Sequence, residues 1–278
     1  MNVRFSPVLT PRMRKSGGAL SIRAIDLTDM ADCTSPVTGL NEFRLRGQPL
    51  PPPPHAGLSA FTYMFEDSEG SLRKRDALGN DVVVSPGGIV WTKGGGDVID
   101  HDVPVDDGEL HGLQLFVKLG ANNKYVGPRM LRLQGNEVRE WWHSAGDGVR
   151  VVVGSFEGIT SPLVPAEPFT FLDVVLRREI TFNIPPAHNA LVYVLDGTVA
   201  IGAAGRQQKI IRGQAMALHG GGGRARLVSL SPAHAIVLSG PEICEPMVVD
   251  DPFMNEPDQI EAIVARYRAG EMERVTSL

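Results

Sequence analysis

Short apolar runs separated by Gly and Pro make up most of the first half of the chain. Residues 81–104, DVVVSPGGIVWTKGGGDVIDHDVP, contain three such runs, with a Ser-Pro-Gly-Gly turn and a Gly-rich turn between them. Residues 110–120, LHGLQLFVKLG, add a run in which apolar and polar positions alternate. Short runs between turn residues are typical of β-strands. We therefore expect residues 58–119 to form a compact antiparallel β unit.

The second half of the chain repeats this pattern. Residues 170–202 and 207–240 are again series of apolar runs, and the dipeptide Asp196-Gly197 favours a tight hairpin turn. Short strands spaced by about 8–12 residues are typical of a β-sandwich or a small barrel. Two such blocks indicate two β domains, joined around residues 125–145.

One segment near the end has helical rather than strand periodicity. In residues 256–270, EPDQIEAIVARYRAG, Pro257 and acidic residues open the segment and Gly270 closes it. Between them, apolar residues recur at helical spacing from Ile260 to Tyr267. The pattern predicts an amphipathic helix that packs against its own barrel.

Charge and composition narrow the class of protein. The chain has 278 residues and a formal net charge of −5, which argues against direct nucleic-acid binding. Its short basic cluster, Arg73-Lys74-Arg75, is predicted to be a solvated loop. The first residues lack the apolar core of a secretory leader, and no segment approaches the roughly 18 apolar residues of a membrane span. The cytoplasm is therefore the expected location, with Cys33 and Cys244 as two thiols rather than one disulfide.

Several sequence motifs occur in a fixed order. They are LNEFR at 40–44, PPHAGLSAFTY at 53–63, SPGGIVW at 85–91, HGLQLFVKL at 111–119, QQKI at 207–210, EPMV at 245–248 and PFMN at 252–255. In order and spacing these motifs resemble those of the pirin family, a group of bicupins. The resemblance implies an all-β fold of two tandem cupin barrels (double-stranded β-helix, or jelly-roll, barrels) with a C-terminal helix. It also implies an N-terminal cupin domain at 1–136 and a C-terminal one at 137–278.

The same resemblance implies a metal site in the first barrel. Family members bind one metal, usually iron, through two His in an HPH motif and a His and a Glu in an HxE motif. Imidazole and carboxylate ligands suit Fe, Ni, Cu or Mn. In this chain the corresponding positions are Pro53, His55, Asp100 and Asp102. Only His55 is unchanged, and Pro53 has no group that can bind a metal.

Three arrangements of these residues stay open. In the first, the site holds no metal and His55 pairs with Asp100 or Asp102. In the second, His55, Asp100 and Asp102 bind a hard divalent ion such as Mn, Mg or Ca. In the third, a bulge at the Gly-rich turn shifts the register and brings His101 inward beside His55.

Of two other histidines, His111 is expected to be structural and His188 is not expected to be a metal ligand. His111 begins a strand at a place where the family also has a His that is not a ligand. His188 precedes a strand of the second barrel, but no HxH…E pattern follows it. The second barrel is therefore expected to bind no metal.

Two functions of different class follow from the resemblance. The first is a regulatory protein that binds a small apolar or aromatic ligand or a protein partner, with a weakened or lost metal site. The second is a metal-dependent dioxygenase of the flavonol-cleaving (quercetin 2,3-dioxygenase) type, with Fe, Mn or Ni. In that case His55 and Asp102 are ligands, and Asp100 is a third ligand or the general base. We expect the first function, because three of the four ligand positions have changed.

Overall fold

The part of the protein that the structure describes consists mostly of β-strands. The computed structural model describes residues 3–16, 19–47, 58–76, 79–93, 100–124, 129–165 and 167–243. The first eleven strands are β1 (Arg4–Phe5), β2 (Arg12–Ser16), β3 (Leu20–Asp26), β4 (Val37–Leu45), β5 (Leu58–Met64), β6 (Leu72–Asp76), β7 (Asp81–Val84), β8 (Ile89–Lys93), β9 (Asp100–Pro104), β10 (Leu110–Lys118) and β11 (Arg129–Leu133). The others are β12 (Arg139–Trp142), β13 (Gly148–Val153), β14 (Ser155–Phe156), β15 (Ile159–Thr160), β16 (Thr170–Leu176), β17 (Glu179–Ile184), β18 (His188–Ala203), β19 (Arg206–Ile211), β20 (Ala215–His219) and β21 (Gly223–Pro241). The described helices are single turns: α1 (Ala31–Thr34), α2 (Ala121–Lys124) and two 3-10 turns, Thr28–Met30 and Gly135–Glu137.

One compact unit, here called the first barrel, is built from the described residues within 12–24 and 40–137. Its large sheet has the strand order β11-β8-β5-β10-β4-β3-β2, and a smaller sheet has the order β7-β6-β9. In the large sheet β5 pairs antiparallel with β10 on one side and with β8 on the other. The predicted antiparallel β unit in this part of the chain is therefore confirmed.

Alternation along these strands sets which side chains face the core of the first barrel. Met64 of β5, Leu72 of β6, Val90 of β8 and Leu110 of β10 belong to one buried apolar cluster. Successive side chains of a strand point to opposite faces. The even-numbered positions of these four strands therefore face the core.

The other compact unit, here called the second barrel, is built from residues 3–11, 25–39 and 138–243. Its large sheet follows the order β1-β20-β18-β21-β16-β13-β12, with β17 paired to β21 and β19 to β18. A single large cluster of buried aliphatic and aromatic side chains forms its core. The second predicted β block is thus confirmed, and the first strand of the chain pairs with β20 of this barrel.

The predicted hairpin at Asp196-Gly197 is wrong. β18 continues through this dipeptide with shifts in its register against β21, so Gly197 marks a bulge rather than a turn. Gly197 has φ of 78°, and a Cβ added to it would lie 2.2 Å from the carbonyl oxygen of Pro232. The chain reverses instead at Ala204-Gly205, between β18 and β19. Both residues there have positive φ, which a tight hairpin turn of the primed type requires.

Two other predictions concern single segments. Cys33 is a free, buried thiol whose pKa is raised by burial and by the nearby Asp32 carboxylate, whereas Cys244 lies outside the described residues. The predicted helix within residues 256–270 also lies outside them. Within the described residues, no helix combines the length and the apolar character needed to cross a membrane.

Candidate ligand site in the first barrel

The predicted ligand positions fall on two segments of the first barrel. Pro53 and His55 lie outside the described residues. Asp100 and Asp102 belong to β9, which pairs with β6 in a continuous register. For Asp100 and His101 the structure describes only the backbone. The metal-ligand roles of His55, Asp100 and Asp102, and the catalytic role of Asp100, therefore stay predictions.

Asp102 forms a buried ion pair with a lysine that the sequence motifs do not single out. Lys74 lies directly opposite Asp102 in the ladder between β6 and β9. Its Nζ donates to Asp102 Oδ1 at 2.9 Å, and both side chains are only 1% exposed. Thr62 Oγ1 of β5 donates to Asp102 Oδ2 at 3.4 Å. Each carboxylate oxygen of Asp102 therefore already has a protein donor.

The sequence of β6 explains why this lysine is buried. Leu72 faces the core, so Lys74 faces it as well, whereas Arg73 and Arg75 alternate to the other side. Both arginines donate to the exposed carboxylate of Asp81, Arg73 Nε at 2.7 Å and Arg75 Nε at 3.2 Å. The prediction of a solvated loop at 73–75 is thus wrong. Period-2 alternation after the apolar Leu72 was the signal that could have placed Lys74 inside.

Two further polar side chains face the core beside this pair. Gln114 of β10 lies opposite Thr62, and Thr92 of β8 lies opposite Ala60. Gln114 is 6% exposed and Thr92 is 1% exposed. Among the residues that the structure describes, Gln114 Nε2 and Thr92 Oγ1 have no hydrogen-bond partner.

The same face is layered along the strands. Met64 and Leu110 belong to the apolar core. The polar side chains come next, and a separate buried cluster of Leu58, Ala60 and Phe116 lies beyond them. The inner face of the first barrel therefore offers polar atoms bordered by apolar walls on both sides, which is the usual composition of a small-molecule site.

His111 lies in a charged network elsewhere in the first barrel. Its Nδ1 is 2.7 Å from Asp67 Oδ1 and its Nε2 is 3.5 Å from Glu42 Oε1, and its ring packs on Phe65. Burial alone would lower the pKa of His111, but the hydrogen bond with Asp67 and the nearby carboxylate of Glu42 outweigh it, so this pKa is raised. The positive imidazolium is thus the form that these two carboxylates stabilise.

Of the implied metal site, the structure describes only the side chain of Asp102, and protein donors already occupy that carboxylate. Within the described residues, no three His, Cys, Asp or Glu side chains lie close enough together to bind a metal. The side chain of Asp102 holds an ammonium group on one oxygen and a hydroxyl group on the other. To bind a metal ion, the carboxylate of Asp102 would have to give up its contact with the ammonium of Lys74.

The second barrel has a different set of polar features. A groove of about 470 Å³ is lined by apolar side chains such as Leu163 and Phe169 and includes His188. On β16, the buried carboxylate of Asp173 contacts Nε2 of His234 from β21.

Comparison with known proteins agrees with the fold described above and identifies the family of the chain. Two tandem cupin barrels define the chain as a bicupin. The profile of the Pirin family matches residues 12–117, and that of the Pirin C-terminal cupin domain matches residues 171–273. A Vibrio cholerae protein named "Putative quercetin 2,3-dioxygenase" is 32% identical over 253 residues, which cover 86% of this chain and 87% of that protein. The chain therefore belongs to the pirin family.

Two solved structures share the fold at low sequence identity. Quercetin 2,3-dioxygenase from Acinetobacter baumannii has a TM-score of 0.78 and 19% identity, and the match covers 97% of this chain and 98% of that one. The bacterial pirin YhhW from Escherichia coli, in complex with nickel(II), has a TM-score of 0.65 and 15% identity, with 86% and 99% covered. These likenesses establish the fold, and that E. coli protein binds nickel(II) in its crystal.

Proposed function

We propose that this chain is a pirin-family binding protein, with a small apolar or aromatic molecule or a protein as its partner, rather than a metal-dependent oxygenase. We expect it to bind neither nucleic acid nor a membrane directly. The observation that carries the proposal is the buried pair of Lys74 and Asp102. In the family pattern Asp102 stands at the Glu ligand position, and here its carboxylate is bound to an ammonium ion of the protein itself.

The charge of Lys74 opposes a metal in this position. At an effective dielectric constant of about 20, a unit charge and a divalent ion roughly 4 Å apart repel by about 8 kcal/mol. That repulsion is as large as the whole binding free energy of an ion held with micromolar affinity, about 8 kcal/mol. A metal would therefore need His55, Asp100 and Asp102 to overcome both this repulsion and the loss of the ion pair.

Elemental analysis of the protein tests the proposal. The chain would be purified without a His-tag or chelator, incubated with Fe(II), Mn(II) or Ni(II), desalted and analysed beside its His55→Ala variant. We expect far less than one metal per chain, and the same content in both proteins. Near-stoichiometric metal in the parent that is lost in His55→Ala would overturn the proposal.

The alternative function is a metal-dependent dioxygenase that cleaves flavonols. The name of the Vibrio cholerae relative, at 32% identity, favours it. Oxygen uptake with quercetin, with and without added Fe(II), Mn(II) or Ni(II), separates the two functions. We expect no metal-dependent uptake; turnover that requires both a metal and His55 would replace the binding function by this one.

A further inference from the structure

We infer that the first barrel binds a neutral small molecule through a carbonyl oxygen, which Gln114 and Thr92 hold from opposite sides of β5. This assignment rests on the binding function proposed above and names the chemistry of its ligand. Nothing in it requires a metal, because the groups that make the contact are an amide N–H and a hydroxyl.

The first step is the state of these two side chains. The large majority of buried side-chain polar atoms in proteins have a hydrogen-bond partner, so each exception needs an explanation. Gln114 Nε2 and Thr92 Oγ1 are buried and have no partner among the described residues. Leaving such a donor unpaired destabilises the unliganded protein. A bound acceptor atom would give both Gln114 Nε2 and Thr92 Oγ1 a hydrogen-bond partner and so remove this destabilisation.

The second step is their placement. Gln114 lies opposite Thr62, and Thr62 and Ala60 are neighbours on the core-facing side of β5, with Thr92 opposite Ala60. The backbones of β10 and β8 are two strand spacings apart, roughly 10 Å. A Gln side chain, a Thr hydroxyl and two hydrogen bonds of about 2.9 Å each to one shared acceptor can bridge this gap. Ser59 Oγ is likewise without a described partner, but its odd position in β5 puts it on the other face.

The third step is the charge and the shape of the ligand. The ammonium of Lys74 is already neutralised by Asp102, so this pair adds no net charge beside Gln114 and Thr92. Both unpartnered atoms can donate, which selects an acceptor oxygen. The buried cluster of Leu58, Ala60 and Phe116 on the same face suits an apolar or aromatic body. The ligand class is therefore a neutral, apolar carbonyl compound.

Acetophenone is a probe for this class, with cumene as a partner of similar shape that lacks the oxygen and benzoate as the anion. Affinities would be measured by NMR titration of the full-length, chelator-treated protein. We expect acetophenone to bind about tenfold more tightly than cumene, the worth of about one neutral hydrogen bond. Benzoate should bind more weakly than acetophenone. Equal affinity for acetophenone and cumene would overturn the inference.

The variants Gln114→Met and Thr92→Val keep roughly the volume of each side chain and remove its polar atoms, the whole amide of Gln114 and the hydroxyl of Thr92. Each should lose most of the preference for acetophenone over cumene, whereas Gln207→Met, at an exposed position of β19, should keep it. A preference that persists in both core variants would show that other groups bind the oxygen and would refute the assignment.

Stability of the unliganded variants provides a second readout. If only the ligand provides a hydrogen-bond partner for these two side chains, their polar atoms lack a partner in the unliganded protein. The variants Gln114→Met and Thr92→Val should therefore unfold at the same or a higher urea concentration than the parent. If either variant unfolds at a lower urea concentration than the parent, the residue that it replaces has a structural partner, and the inference fails for that residue. Elemental analysis separates the two proposals. Metal in the protein would overturn the binding function and the assignment that rests on it, whereas lack of acetophenone selectivity in metal-free protein would overturn only this site.

Discussion

Replacing Lys74 by Met should destabilise the first barrel strongly, because it leaves the carboxylate of Asp102 buried without its cation. Both side chains of the pair are 1% exposed, and the hydrogen bond that Thr62 donates to this carboxylate is long, at 3.4 Å. Removing one partner of a buried ion pair typically costs about 3–5 kcal/mol. Since a domain is stable by only about 5–15 kcal/mol, this loss is a large fraction of the total.

The double variant Lys74→Met/Asp102→Leu should recover most of that loss. It removes both charges together, and apolar replacement of a buried ion pair is often neutral or stabilising. The coupling energy in the double-mutant cycle should therefore reach about 3 kcal/mol, as expected for residues in direct contact. As a matched control, Arg73→Met breaks the exposed ion pair with Asp81 on the same strand, and it should cost no more than about 1 kcal/mol.

Urea unfolding followed by tryptophan fluorescence can isolate the first barrel. The chain has three Trp, of which only Trp91 lies in the first barrel, where it is buried against Phe61. In a Trp141→Phe/Trp142→Phe background the signal reports on this barrel alone. A shift in the midpoint at constant slope gives the change in the free energy of unfolding. A cost below about 1 kcal/mol for Lys74→Met, or a double variant as unstable as the sum of the single ones, would show that Lys74 and Asp102 do not form a buried pair.

Two more predictions concern single residues. The pKa of His111 is raised in the folded protein, so its contribution to stability is fully present below its unfolded pKa of about 6.5 and is lost as the pH rises through the higher folded pKa. Between pH 5 and pH 9, the urea midpoint of the parent should therefore fall relative to that of His111→Gln. Parallel pH curves for the two proteins would contradict this prediction. Gly197→Ala should cost at least about 2 kcal/mol, since it adds a clash with a backbone carbonyl to the strain of positive φ. The control Gly205→Ala has a similar φ of 75° with nothing within 4 Å of its Cβ, so it should show only the smaller strain in thermal unfolding, and equal losses would argue against the clash.

Family motifs and short apolar runs were sufficient to predict two β-barrels, because each run is long enough for one strand and the turn residues separate the runs. The Asp196-Gly197 dipeptide was misleading for a physical reason. A Gly with positive φ serves a bulge within a long strand as well as a hairpin turn, and only the pairing of β18 with β21 distinguishes the two. Ala204 at the real turn has no residue-type signal of its own.

The interior of the first barrel was harder to predict than its outline. Three consecutive basic residues indicate a solvated segment by composition, yet strand alternation turns the middle one, Lys74, toward Asp102 of β9. That partner is 28 residues away in sequence, so no local pattern identifies the pair. Gln114 and Thr92 were missed for the same reason, since their burial and lack of a described partner follow from the register of β10, β5 and β8.

The ion pair also bears on any attempt to restore the family's metal site. Substituting Pro53→His, Asp100→His and Asp102→Glu rebuilds the four family ligands by residue type, and this triple variant should bind Ni(II) more tightly than the parent. The ammonium of Lys74 would remain beside the new carboxylate and repel the ion. Adding Lys74→Met should therefore raise the affinity by at least about a further hundredfold, which corresponds to about a third of the roughly 8 kcal/mol repulsion. Calorimetric titration with Ni(II) measures both steps, with Arg73→Met in the triple background as the control for losing a positive charge on the same strand. If the quadruple variant binds Ni(II) no more tightly than the triple variant, Lys74 does not oppose the metal, and the changed ligand residues alone determine its affinity.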